Sequence, residues 1–253
     1  MARLLQQGDS HARSVYQQSC DQGDPFSCFE LGRLLHNGVG GPRDLEAAAA
    51  RMEEGCSAGH DGACLDLARY LTAGDGVETD RGRAVALFRM GCDDSQGEAC
   101  RELGEMYRRG RGVNTDLQEA ATLFRQACDL RDGWGCHKLG DAIYRGAGVR
   151  SDPVEAAAAY EDACGLGAGW GCIRWGDALR DGRIGPVDGA RAAQLYSDAC
   201  DAGTFWGCVF LGNLHRRGEG GMPRDRAVAC VAYGTACDNG LQPACESEER
   251  YCG

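Results

Sequence analysis

Sixteen of the 253 residues are cysteine, and fourteen of them stand in one frame, Cys-x7-Cys. The frame opens at Cys20/Cys28 and returns at Cys56/Cys64, Cys92/Cys100, Cys128/Cys136, Cys164/Cys172 and Cys200/Cys208, each 36 residues after the last, then at Cys237/Cys245 after a one-residue slip. Thiols can ligate zinc, exchange disulfides or staple a fold. Zinc frames favour cysteines two to four residues apart, and exchange chemistry favours Cys-x-x-Cys or an activated, exposed thiol; neither pattern is present. A regular, even-numbered set reads instead as a disulfide framework, in which each cysteine pairs with the one eight residues on. Such a framework persists in an oxidising compartment. The two cysteines outside the frame, Cys230 and Cys252, lie seven before Cys237 and seven after Cys245. In an antiparallel helix pair that offset brings them together about two turns from the first bridge, so a Cys230–Cys252 disulfide is expected.

Other chemistry finds little support. The five histidines, His11, His36, His60, His137 and His215, fall in different slots, with no His-x-x-x-His or His-Glu pairing for a hydrolytic zinc. Repeated Gly-x-Gly turns lack the preceding strand and the lysine of a phosphate loop. A net charge of −11 opposes non-specific binding to nucleic acid or to an anionic membrane. No stretch of 18 apolar residues is present for a membrane span. The first residues, Met1 to Gly8, also lack the apolar core of a signal peptide, so a leader or lipid anchor is expected to have been removed. No metal or cofactor is expected.

The elements that must position the cysteines are helices. A 36-residue period is the mark of a solenoid, whose units rest on their neighbours. From Asp116, a natural N-cap, Ala120, Leu123, Phe124, Ala127 and Cys128 recur at helical spacing; this is helix B. A short Gly/Asp-rich corner leads to the second cysteine and helix A, whose inward positions are the cysteine, Leu103, Gly104 and Tyr107. Glycine in mid-helix costs about 1 kcal/mol against alanine, so close helix packing is expected there. Helix A stops at Gly38, Gly74, Gly110, Gly146, Gly182 and Gly218, suited to the left-handed C′ position. The expectation is one all-α domain over 1–253, a right-handed α/α superhelix of hairpins at about 9–38, 44–74, 80–110, 116–146, 152–182, 188–218 and 225–252.

The run Leu103-Gly104-x-x-Tyr107-x-x-Gly110-x-Gly112-Val113-x-x-Asp116-x-x-x-Ala120-x-x-x-Phe124-x-x-Ala127 resembles the SEL-1-like repeat, a relative of the tetratricopeptide repeat. With a cysteine pair in every unit, the chain is similar to the family's bacterial cysteine-rich branch, which includes the Helicobacter cysteine-rich proteins. Departures are local: Ala68 replaces the helix-A glycine, Trp175 replaces the leucine, and Gly182-Arg-Ile-Gly185-Pro replaces the usual turn. The resemblance implies a scaffold for protein–protein contact, often secreted or periplasmic. Some cysteine-rich members are described as β-lactam-binding or β-lactamase-like. Here the only lysine, Lys138, follows Gly135 where Ser-x-x-Lys would need a serine, so that active site is not formed by this motif.

Around helix A, positions −2, +2, +5 and +9 from the cysteine lie opposite the inward face, on the side expected to line the concave, ligand-binding surface of a solenoid. In the later units this stripe reads Trp134, Lys138, Asp141, Arg145; Trp170, Arg174, Asp177, Asp181; and Trp206, Phe210, Asn213, Arg217. Earlier units carry Phe26, Gly62 and Glu98 at −2. Either the tryptophans form a ladder that binds a partner, or each covers the corner beside its disulfide. The leading expectation is a monomeric, non-enzymatic, secreted or periplasmic scaffold that binds a protein or peptide on the concave helix-A face. A β-lactam-binding or hydrolysing protein is the runner-up, and a thiol–disulfide redox factor is third.

Overall fold

The computed structural model describes residues 2–253, with side chains from residue 9 onward. The described residues form fourteen α-helices and one short 3-10 turn, with no strand. Two compact units divide the chain after Asp116. The first holds α1 (Ala2–Cys20), α2 (Pro25–Asn37), α3 (Leu45–Ser57), α4 (Asp61–Ala73), α5 (Arg81–Asp93) and α6 (Gly97–Arg109). The second holds α7 (Leu117–Asp129), α8 (Gly133–Arg145), α9 (Pro153–Gly165), α10 (Gly169–Arg180), α11 (Gly189–Asp201), α12 (Trp206–Arg217), the 3-10 turn Glu219–Gly221, α13 (Arg226–Asp238) and α14 (Gln242–Cys252). Odd-numbered helices are B and even-numbered helices are A. The fold is an α/α solenoid.

The B helices start where an aspartate can satisfy orphan amides. Asp44 accepts from Ala47 N at 3.0 Å, Asp80 from Arg83 N at 2.9 Å, Asp188 from Arg191 N at 2.9 Å and Asp225 from Val228 N at 3.0 Å. Their inner faces pair a small residue with a large one four positions on: Ala48 with Met52, Ala84 with Phe88, Ala156 with Tyr160, Ala192 with Tyr196 and Ala229 with Tyr233, all buried. The A helices supply Leu31, Leu67, Leu103 and Leu139 to the same cores.

Two glycine sites are dictated by geometry. The C′ glycines end α2, α4, α6, α8 and α12 at φ between 65° and 83°. In α10 the helix ends one residue early, at Arg180, because Asp181 takes the cap position and is held by Arg180 and Arg183; Gly182 carries the positive φ after it. The second glycine of the turns at Gly76, Gly112 and Gly148 presses on backbone at the start of the preceding B helix. A Cβ on Gly76 would collide with the Leu45 carbonyl, and one on Gly148 with the Leu117 carbonyl.

Tyr107 is half-buried, with Met106 beside it taking the inner place, because positions +6 and +7 share that face. The Tyr107 hydroxyl accepts from Arg89.

All sixteen cysteines are oxidised. Seven bridges join a cysteine to the one eight residues on, Cys20–Cys28, Cys56–Cys64, Cys92–Cys100, Cys128–Cys136, Cys164–Cys172, Cys200–Cys208 and Cys237–Cys245, each from the end of a B helix or α1 to the start of the next A helix. The eighth, Cys230–Cys252, spans Cα atoms 5.6 Å apart and fastens α14 to α13. Fastening matters there, since Ala244 is the one fully buried residue of α14.

Candidate functional site

The face that carries the tryptophans belongs to the second unit and is presented by α8, α10 and α12. Its scaffold is a recurring contact between an A helix and the B helix that follows. Mid-helix Gly140, Gly176 and Gly212 leave space for the rings of Tyr160, Tyr196 and Tyr233; a Cβ on them would lie 2.5, 2.8 and 2.6 Å from the tyrosine Cε1. Each ring then delivers its hydroxyl to the residue after the glycine. Tyr160 donates to Asp141 Oδ1 at 2.8 Å, Tyr196 to Asp177 Oδ1 at 2.7 Å and Tyr233 to Asn213 Oδ1 at 3.0 Å. Asp141, Asp177 and Asn213 therefore sit half-buried on the stripe, with one acceptor already engaged. Burial raises the Asp177 carboxyl above the usual carboxylate range, against the opposing pull of the Tyr196 hydroxyl and Arg180. Burial and the adjacent carboxylates push the Tyr160 and Tyr196 phenols upward.

Arg174 lies between the two aspartates. Its Nε is 3.7 Å from Asp141 Oδ1 and its Nη1 is 3.8 Å from Asp177 Oδ2, both beyond hydrogen-bond range. Nε is buried and has no hydrogen-bond partner. Arg180 is the opposite case: it meets Asp177 at 3.0 Å and Asp181 at 2.7 Å. Arg145 reaches Asp141 at 3.7 Å and Arg217 meets Glu219 at 3.1 Å. Lys138 makes no ion pair or hydrogen bond among the described residues.

The aromatic positions are not equivalent. Trp170 and Trp206 meet with ring centroids 6.5 Å apart, and Trp206 continues to Phe210 at 6.4 Å. Trp170 and Phe210 also rest on a buried cluster that includes Ile173, Tyr196 and Leu214. Trp134 is 46% exposed and turns its edge to His137 at 5.8 Å. His137, considered from the sequence only as one of five histidines without a zinc-ligand spacing, is buried beneath this surface with an unpartnered Nδ1. Burial pushes its imidazole down to about 4; Asp141 opposes the shift, while Lys138 and Arg174 add to it.

A cleft of about 240 Å³ opens beside Arg174 between α8, α9 and α10, walled by Tyr144, Pro153, Tyr160 and Ala178. Arg183 stacks over Tyr144 at 5.2 Å at its side. The cleft was also missed, although a signal was present: the large B-helix slot changes from Met52, Phe88 and Phe124 to three tyrosines as the A-helix slot 19 or 20 residues earlier becomes Asp, Asp and Asn.

The described residues offer one group with metal-ligand geometry, Cys20, Cys28 and Glu54. Its two sulfurs are bonded to each other, which leaves a single carboxylate.

The Sel1 repeat profile matches six times, at residues 25–60, 62–95, 97–132, 135–167, 171–204 and 207–241. The chain belongs to the Sel1 repeat family. Sel1 repeats are in general non-enzymatic scaffolds for protein–protein interaction. Among solved structures, the c5321 protective antigen of uropathogenic Escherichia coli, described as displaying an SLR fold, superposes with a TM-score of 0.73 at 24% identity, over 94% of this chain and 51% of its own. This chain thus spans about half the length of that protein. A Sel1 repeat protein from Oxalobacter formigenes superposes with a TM-score of 0.74 at 21% identity, over 85% and 86% of the two chains. Helicobacter pylori cysteine rich protein B is 30% identical over 51% of this chain and 93% of its own, with a TM-score of 0.43. No curated protein matches significantly.

In the Sel1 frame a repeat is an A helix with the B helix after it. The disulfides therefore fall between repeats: Cys56 closes the first match and Cys64 lies in the second, and the same holds from Cys92/Cys100 to Cys200/Cys208. The packing of Gly140 on Tyr160 binds a Sel1 repeat internally, and the bridge joins it to its neighbour.

Proposed function

We propose that this Sel1 repeat protein is a secreted or periplasmic scaffold that binds a polypeptide on the helix-A face of α8, α10 and α12. The observation that carries the reading is the run Trp170–Trp206–Phe210, with Arg174 one helical turn from Trp170 on α10 and Lys138, unpaired among the described residues, in the same slot of α8. Aromatic residues with arginine in one patch are the composition of interface hot spots. Trp134, Lys138, Asp141, Arg145, Trp170, Arg174, Asp177, Trp206, Phe210 and Asn213 form the proposed surface. Eight disulfides support an oxidising compartment, and no described helix is long and apolar enough to cross a membrane. A thiol-exchange role would have to open one of the bridges that join the repeats, since no cysteine is free.

The test uses the oxidised chain as bait in native envelope and culture-fluid fractions, beside Trp170→Ala and Arg174→Ala. A protein held by the wild type and weakened by about 1–3 kcal/mol in each variant, with helicity unchanged, is the expected result. Capture that both folded variants retain in full moves the site elsewhere.

A further inference from the structure

We propose that the segment docked on the α8–α12 face is acidic: an extended stretch of polypeptide in which carboxylates alternate with apolar side chains. The inference rests on the reading of this face as the docking surface and adds the chemistry of its partner.

The first observation is a reversal of charge along the repeats. Two residues after the helix-A cysteine the first three units carry Glu30, Asp66 and Glu102, while the next three carry Lys138, Arg174 and Phe210. Five residues after it the order is Arg33, Arg69 and Glu105, then Asp141, Asp177 and Asn213. In the first unit these charges satisfy one another, with Glu30–Arg33 at 3.3 Å, Asp66–Arg69 at 3.0 Å and Glu98–Arg69 at 2.6 Å. In the second the pairing is looser around Arg174. The Tyr160 and Tyr196 hydroxyls each claim an oxygen of Asp141 and Asp177, and Arg180 takes a further share of Asp177. Arg174 is left at 3.7 and 3.8 Å with a buried, unpartnered Nε, and Lys138 pairs with nothing among the described residues. Lys138, unpaired among the described residues, and the exposed end of the Arg174 guanidinium, only 3.8 Å from Asp177 at its nearest Nη contact, leave two cationic groups open to carboxylates from outside on a chain of net charge −11. Charge-assisted bonds to such carboxylates are roughly twice as strong as neutral ones.

The second observation is spacing. Residues i and i+2 of an extended chain stand about 6.6–6.8 Å apart on one side, with the intervening side chains on the other. The Trp170–Trp206 centroid separation is 6.5 Å. A chain running along this pair thus sets two alternate side chains, i and i+2, against Trp170 and Trp206. The residue between them turns away from the rings, and the Lys138/Arg174 row lies one helical turn from the tryptophan row. The cleft between Tyr144, Tyr160 and Ala178, whose rim carries Arg174, Arg180 and Arg183 beside Asp177 and Asp181, has room for one apolar side chain next to a carboxylate.

The experiment titrates the oxidised full-length chain with three acetylated, amidated octapeptides of alternating sequence, Leu-Glu, Leu-Gln and Leu-Lys, and follows tryptophan fluorescence. The glutamate peptide is expected to bind about tenfold more tightly than the other two, with the margin shrinking between about 50 and about 300 mM salt. The double variant Lys138→Gln, Arg174→Gln is expected to abolish the preference while retaining helicity and all eight disulfides. Equal binding of the glutamine peptide, or tighter binding of the lysine peptide, overturns the acidic partner and leaves the docking face standing. No binding of any peptide, or binding that a folded Trp206→Ala variant leaves unchanged, overturns the face and the partner together.

Discussion

The ring of Tyr160 occupies the space that a side chain on Gly140 would need, and its hydroxyl reaches one residue further to donate to Asp141 Oδ1 at 2.8 Å. One side chain thereby joins α9 to α8 and orients a carboxylate on the candidate binding face. Helix propensity alone favours Gly140→Ala by about 1 kcal/mol. Overpacking against a Cε1 that would lie 2.5 Å from the new Cβ opposes it. The expected outcome in urea melts of the oxidised protein is a net loss of about 1–2 kcal/mol, relieved in the double variant with Tyr160→Leu. A stabilised Gly140→Ala protein would show that the ring is free to move.

The corners between B and A helices make the opposite prediction for Arg131. Its φ is +62°, where the equivalent corners place Gly23, Gly59, Gly167, Gly203 and Gly240 at +82° to +91° with nothing near enough to meet a Cβ. Only the backbone decides, and the left-handed region costs a non-glycine residue about 1–2 kcal/mol. After the entropy that glycine adds to the unfolded chain, Arg131→Gly should stabilise by about 0.5–1 kcal/mol. Ser95, at +65°, should respond in the same direction. Chemical denaturation midpoints check both.

His137 gives the fold an acid limit of its own. Its imidazole falls from 6.5 to about 4 on folding, so the unfolded chain binds the extra proton between those values. The contribution is therefore complete above about pH 6.5 and lost as pH falls toward 4, on the order of 2–3 kcal/mol in all. His137→Phe should flatten the difference in unfolding free energy between pH 7 and pH 4.5, whatever the carboxylates add to both proteins. A slope the same as that of the wild type would mean that the ring is solvated in solution.

Removing the Cys230–Cys252 bridge should be felt locally. A 22-residue closure is worth about 3 kcal/mol in the chain-entropy model, and α14 has little burial to replace it. In the Cys230→Ser, Cys252→Ser variant, amides of α14 should exchange far faster while those of α8 to α11 keep their protection. Uniform loss of protection across the second unit would instead show that the bridge holds more than its own helix.

What the sequence made legible follows from period. Cysteines, alanines and C′ glycines recur every 36 residues, so their slots announce helices, corners and bridges without any knowledge of distance. The Tyr160–Asp141 and Tyr196–Asp177 bonds hide because they join slots 19 residues apart on different helices and appear only in the later units. For the same reason Asp141 and Asp177 looked like free surface charges, whereas each is half-occupied by a phenol. The stripe was drawn with equal tryptophans, but burial separates them. Trp170 settles onto the cluster around Ile173, while Trp134 stays out beside His137. Helical phase tells which way a residue points, and it cannot tell how far its neighbour's ring extends.

Because every framed bridge reaches eight residues forward and crosses from one repeat to the next, the copy number of the array is free to change without rewiring it. Excising residues 60–95 would remove Cys64 and Cys92 together and set Cys56 eight positions before Cys100. Duplicating the same block would regenerate the frame twice. A gene for such a protein can gain or lose whole units by unequal recombination and still encode a chain in which each thiol meets its partner at the same distance. Only Cys230 and Cys252 stand outside this rule, since they pair across α13 and α14 at a separation of 22 residues.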